Sequence, residues 1–101
     1  MRIDELEWDD ENVEHIARHE VSPKEVEDVC SGLNISEKQG NNRYILSGQS
    51  GEGRYLNVVV ERISKGLFRP ITAYQMNEGQ KARYRKRVDK QGGEKYDNEE
   101  K

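Results

Sequence analysis

Apolar residues recur along this chain first with the period of a helix and then with the period of a strand, and the change falls near residue 33. Val13, Ile16 and Ala17 stand at i, i+3, i+4 behind Asp9 and Asp10, both good helix caps, which predicts a first helix over about 10–19. Ser22-Pro23-Lys24-Glu25 marks a second start. Ser at the cap, Pro in the first turn and Glu three residues after the cap together satisfy amides that a helix start leaves unpaired. Val26, Val29, Cys30 and Leu33 continue at i, i+3, i+4, i+7, and Gly32 suits the left-handed ending, so this helix stops near Ser31.

Beyond that point three runs read as strands, Arg43 to Ser47, Arg54 to Arg62 and Leu67 to Tyr74, with Val58-Val59-Val60 at the centre of the strongest. Leu33 to Lys38 is a weaker fourth, having only two apolar residues. Gly48, Gly51 and Gly53 make one turn and Ser64-Lys65-Gly66 another; connections this short imply antiparallel hairpins. Pro70 lacks an amide donor, which points to an edge position or a bulge. Asn77 and Gln80 can cap a third helix through about Val88, basic and mostly exposed, with Ala82, Tyr84 and Val88 as its packing residues. Residues 89–101 are Gly-, Asn- and charge-rich and read as a disordered tail. The expected fold is α+β: residues 1–88 form one domain with two N-terminal helices packed on a three- to four-stranded antiparallel sheet and a short, basic C-terminal helix.

At 101 residues, with 37% charged against 32% hydrophobic, the chain has room for one small domain with a modest core, which excludes a multidomain enzyme. No charge-free stretch approaches the roughly 20 apolar residues of a membrane helix, so no membrane partner is expected. The acidic opening and the lone Cys30 point to a cytoplasmic protein. The net charge of −3 conceals two opposed halves. Residues 1–37 hold 12 acids against 3 bases, and residues 38–88 hold 11 bases against 3 acids. Such asymmetry suits a polyanion partner, and it equally suits acidic helices paired internally with a basic sheet.

Motifs narrow the chemistry. His15 and His19 share a helix face at zinc-like spacing, but Ile16 stands where such a site carries Glu and there is no third His, so no metal is expected. Gly48, Gly51 and Gly53 fall as G-x-x-G-x-G between two strands, where no helix N-terminus can receive a phosphate, and read as a hairpin turn. Cys30 on an apolar helix face reads as a small core residue. What remains is a basic group, Arg43, Arg54, Arg62, Lys65, Arg69 and Lys81 to Arg87, interleaved with Tyr44, Tyr55, Tyr74 and Tyr84. Arginine donates to phosphate and tyrosine stacks on unpaired bases, the combination that single-stranded RNA binding uses. The strand tyrosines also suit ordinary cross-strand packing.

Leu6-Glu7-Trp8-Asp9 with Asn12, then Arg18-His19-Glu20-Val21-Ser22, resembles the opening of the BrnT family of bacterial toxins. Arg43-Tyr44-Ile45 with Gly48, Gly53-Arg54-Tyr55-Leu56 with Val58-Val59-Val60, Arg69-Pro70-Ile71-Thr72-Ala73 with Met76, and Lys81-Ala82-Arg83-Tyr84 continue the resemblance in order, over about residues 6–87. It implies a RelE-like fold and a metal-independent, cofactor-free endoribonuclease that cleaves RNA by attack of a 2′-hydroxyl on the adjacent phosphate. It also implies a co-encoded ribbon-helix-helix antitoxin as partner, with an oligomer possible between them. His19, Tyr74 and Tyr84 are then the proton-transfer candidates; Arg62 and Arg69, with Arg43, stabilise phosphate; and Arg54, Lys65, Lys81 and Arg83 hold the RNA. Two departures stand out: Tyr74 where the family usually has Arg, and Glu20 where it usually has Gly. The rival expectation is a non-catalytic module of the same fold that binds an antitoxin or RNA through its basic face.

Overall fold

The computed structural model describes residues 1–100, with side chains described through Lys90; the expected disordered tail, 89–101, falls almost wholly outside the residues so described. The elements run β1 (Glu5–Leu6), α1 (Asp10–Ala17), α2 (Pro23–Ser31), β2 (Asn34–Lys38), β3 (Arg43–Gln49), β4 (Tyr55–Ser64), β5 (Leu67–Gln75) and α3 (Glu78–Glu100). Each helix starts on a reciprocal cap. Asp9 Oδ1 accepts from the Asn12 amide at 2.9 Å while Asn12 Oδ1 accepts from the Asp9 amide at 2.9 Å. Ser22 with Glu25 and Asn77 with Gln80 repeat the pattern. Each such cap contributes about 1 kcal/mol.

The end of α1 is equally well defined. The Val21 amide reaches back to the Ile16 carbonyl at 3.1 Å and the Glu20 amide to the Ala17 carbonyl at 2.9 Å, a Schellman closure in which Val21 and Ile16 are both buried. That closure needs a left-handed residue, and Glu20 takes it with φ of 59°. Gly66, φ 77°, closes the β4–β5 hairpin, where a Cβ would also collide with the Asp4 carboxylate.

The sheet has five strands in the order β1-β5-β4-β3-β2 and is mixed, which corrects the expected three- to four-stranded antiparallel arrangement. The four longer strands are antiparallel neighbours, and the added β1 pairs in parallel with Leu67 and Phe68 of β5. Two residues in an acidic segment show no alternation, so β1 has no signature of its own. It is held through the Gly66 and Phe68 carbonyls, which accept from Asp4, Glu5 and Glu7 amides. Pro70 stands opposite Val60 beside a register shift, the bulge that its missing donor anticipates.

Along β4, Leu56, Val58 and Val60 point to one face and lie fully buried with Ile16, Val26, Val29, Leu46, Phe68 and Ala73. Helix α2 covers this face over β3 and β4, and α1 lies against β5. Burying each of those β4 side chains contributes about 1.5–3 kcal/mol. On the opposite face a smaller cluster joins Ile35, Met76 and Tyr84 with Tyr55 and Val88, which seats α3 beside β2. Ala82 is exposed and takes no part in that seat.

Residue 20 holds a conformation that suits glycine better than glutamate. A non-glycine residue pays about 1–2 kcal/mol in the left-handed region, partly offset by its lower freedom when unfolded. Glu20→Gly should therefore stabilise the fold by about 1 kcal/mol and raise Tm by about 4–8 °C in thermal denaturation; a lower Tm would contradict the closure described.

Candidate functional site

Residues directly opposite one another in an antiparallel pair share a face, so the register assembles rows across the sheet. Ile35, Ser47, Asn57 and Tyr74 form one row over four strands on the face away from α1 and α2. Glu37, Ile45, Val59 and Thr72 form the next, and Arg43, Glu61 and Arg69 a third. Helix α3 rises beside the first two rows and adds Gln80, Arg83, Tyr84 and Arg87. Between helix and sheet lies a cleft of about 180 Å³. This is smaller than the roughly 300 Å³ at which small-molecule pockets begin, so it suits one flat group of a longer ligand.

Four of the expected site residues belong to this cleft or its rim. Tyr74 lies on the floor, and the His19 ring stands edge-on to it with centroids 6.5 Å apart. His15 flanks His19 at 5.8 Å. Arg83 is exposed along the cleft and has no carboxylate partner among the described residues. Tyr84 forms a wall: it is 7% exposed and packs edge-on against Tyr55 at 5.9 Å. Burial, then the neighbouring Tyr55, pushes its pKa up, so at neutral pH it is a packed, protonated phenol. Lys81 pairs with Glu78 at 3.2 Å and lies 5.8 Å from the centre of the Tyr55 ring, which also carries the Arg85 guanidinium at 4.9 Å.

The remaining arginines do not converge here, which corrects the expectation of one basic sheet face. Arg54 is a tie between layers, its Nη1 donating to both Glu25 carboxylate oxygens at 2.8 Å and to the Glu20 carbonyl at 2.8 Å. Arg69 is held by Asp9 and, at 3.2 Å, by Glu11 at the start of α1. Arg43 pairs with Glu61 at 3.3 Å. Arg62 and Lys65 lie elsewhere, lining a separate groove with Arg2, Tyr44 and Phe68. For Arg62 the physical reason is alternation, since it shares the parity of Leu56, Val58 and Val60 and its side chain leaves β4 on the helix-covered side. Arg43 and Arg69 share the open face with the cleft rows but are taken up by their carboxylate partners.

The cleft also contains residues that the sequence reading passed over. Asn57 is 5% exposed in the middle of the most apolar strand, and Ser47 Oγ donates to its Oδ1 at 2.7 Å. Glu37 accepts from Arg87 at 2.8 Å. An asparagine interrupting Leu56-Asn57-Val58-Val59-Val60 was the available signal, because a buried amide in a central strand needs a partner or a purpose.

Burial, then the neighbouring Glu27, pushes the Cys30 thiol up to about 12, which favours the uncharged thiol. Among the described residues no group of three or more His, Cys, Asp or Glu is placed to hold a metal ion. Nor is any helix among them long and apolar enough to cross a membrane. The chain matches no protein-family model, no curated protein and no solved structure.

The layer ties can be tested separately. Arg54 is 30% exposed and Glu25 10%, so Arg54→Ala should destabilise by about 2–3 kcal/mol, less than the ~3–5 of a wholly buried pair, in urea denaturation. A change within ±0.5 kcal/mol would contradict that role. Asp9 is held below the usual carboxylate range chiefly by its hydrogen bond to Arg69. A depressed folded pKa gives stability that is present above the unfolded value, about 3.9, and lost as pH falls through the folded one. Asp9→Asn keeps a competent cap and removes the charge. Wild type should accordingly be the more stable at pH 7, with the gap closing below about pH 4 in denaturation series; a gap independent of pH would contradict the assignment.

Proposed function

We propose that the chain binds single-stranded RNA in the cleft between the sheet and α3 and cleaves it without a metal, as the toxin of a toxin–antitoxin pair with a RelE-like fold. The observation that carries this reading is the meeting of His19 with Tyr74 at the cleft that Arg83 lines. Two groups able to exchange protons and one permanent positive charge are what a metal-free transesterification of RNA needs. The ordered resemblance to BrnT toxins supports the same activity, and a ribbon-helix-helix antitoxin is the partner it brings.

In this mechanism the 2′-oxygen bonds to the adjacent phosphorus as its proton passes to His19. The bond from phosphorus to the 5′-oxygen breaks, and that oxygen takes a proton from the Tyr74 hydroxyl. The products are a 2′,3′-cyclic phosphate and a free 5′-hydroxyl. Arg83 stabilises the negative charge that gathers on the pentacoordinate phosphorus. Proximity of the two rings lets the His19 imidazolium return its proton to Tyr74 through solvent, restoring both groups.

One observation favours the rival, a non-catalytic module that binds RNA or an antitoxin. Arg69 is neutralised by Asp9 and Glu11, so Arg83 is left to supply the permanent charge near Tyr74. Incubating the pure protein with end-labelled single-stranded RNA in EDTA separates the two. The ribonuclease reading predicts fragments ending in cyclic phosphate, with Tyr74→Phe and His19→Ala each slowing cleavage about 10²–10⁴-fold at unchanged RNA affinity. Binding without cleavage would leave the non-catalytic module, and no binding to RNA would contradict the RNA reading in both forms.

A further inference from the structure

We propose that Asn57 determines base specificity in this cleft and selects guanine over adenine; the inference rests on the cleft being an RNA site. Ser47 Oγ donates to Asn57 Oδ1 at 2.7 Å, so the amide oxygen is turned toward β3 and the amide nitrogen is turned away from it. That nitrogen has no protein partner among the described residues. None of their buried side-chain polar atoms is left unpaired, so the Asn57 Nδ2 is reached from the cleft, although the residue as a whole is 95% enclosed.

Gln80 is locked in the same sense. Its Oε1 accepts from the Asn77 amide at 2.9 Å, which leaves Nε2 as a donor. One oxygen of the cleft carboxylate, Glu37 Oε1, accepts from Arg87. Asn57, Gln80 and Arg83 together therefore bring hydrogen-bond donors to the cleft beside Asn57, whose own acceptor is engaged by Ser47.

A donor-lined surface discriminates between the purines. Asparagine reads adenine by using both ends of its amide, the oxygen for the N6 amino group and the nitrogen for N7. With its oxygen turned to Ser47, Asn57 offers nothing to an amino group. Guanine presents two acceptors, O6 and N7, on the same edge, and these match the Asn57 amide and the Arg83 guanidinium. An adenine in that position would bury its amino group against donors, which is the more costly mismatch.

The experiment measures equilibrium binding of the full-length protein to fluorescein-labelled oligouridine RNAs of one length that carry a single central G, A or C. Guanine should be bound about tenfold more tightly than adenine or cytosine. Ser47→Ala frees the amide to turn over and should bring the G-to-A ratio close to one, chiefly by tightening the adenine RNA. Asn57→Asp, which replaces the donor with an acceptor, should shift preference toward adenine. Equal affinity for all RNAs, or preference for another base by wild type, overturns this inference and leaves the RNA-binding reading standing. An unchanged G-to-A ratio in Ser47→Ala also overturns it. Failure of wild type to bind any of the RNAs overturns both.

Discussion

The arrangement of this molecule depends on the two-residue period of β4. Leu56, Val58 and Val60 are buried beneath the helices, and that burial sets the direction of every other side chain on the strand. Tyr55, Asn57, Val59 and Glu61 must then face the other way, and through the register they bring Ser47 and Tyr74 beside Asn57. A slip of one residue would put an asparagine into the apolar layer and three aliphatic side chains onto the open face. The cleft is thus a consequence of how the core is filled. It needs only α3, seated by Tyr84 against Tyr55, to close one side.

Part of the opposed charge of the two halves is neutralised within the fold. Arg54 ties β4 to α2 through Glu25, and Arg69 ties β5 to the start of α1 through Asp9 and Glu11. Asp28 extends the same device by accepting from the Gly51 amide at 2.9 Å, which fastens the β3–β4 loop to α2 and holds the Asp28 carboxyl below its usual range. A surface ion pair contributes little by itself, but these join separate layers and sit at helix starts, where an acid also meets the positive end of the helix dipole. Among the described residues, the basic side chains without a carboxylate partner include Arg83, Arg85 and Lys86 on α3, and Arg62 and Lys65 at the far end of β4.

Much of the local structure was legible in the residues. The Ser22–Glu25 and Asn77–Gln80 caps and the bulge at Pro70 lie where local chemistry placed them, whereas Gly48, read as part of a turn with Gly51 and Gly53, lies inside β3 opposite Leu56. The two-residue β1 was not legible, because it has no alternation and owes its existence to Gly66 and Phe68 far along the chain. The site was legible only in part. His19, Tyr74 and Arg83 reach one region, whereas Arg54 and Arg62 were grouped with them by charge although their even positions share the parity of the buried valines. Asn57 was visible as a break in an apolar strand, but its orientation depends on Ser47, ten residues away and brought opposite by a hairpin.

The most direct measurement of whether the open sheet face is the ligand surface is a titration of isotopically labelled protein with a short single-stranded RNA, followed by amide and side-chain NMR shifts. Shifts should concentrate on Ser47, Asn57, Tyr74, Gln80 and Arg83, with the Asn57 side-chain amide among the largest. Shifts concentrated instead on Arg2, Tyr44, Arg62 and Lys65, the groove at the other end of β4, would contradict that placement.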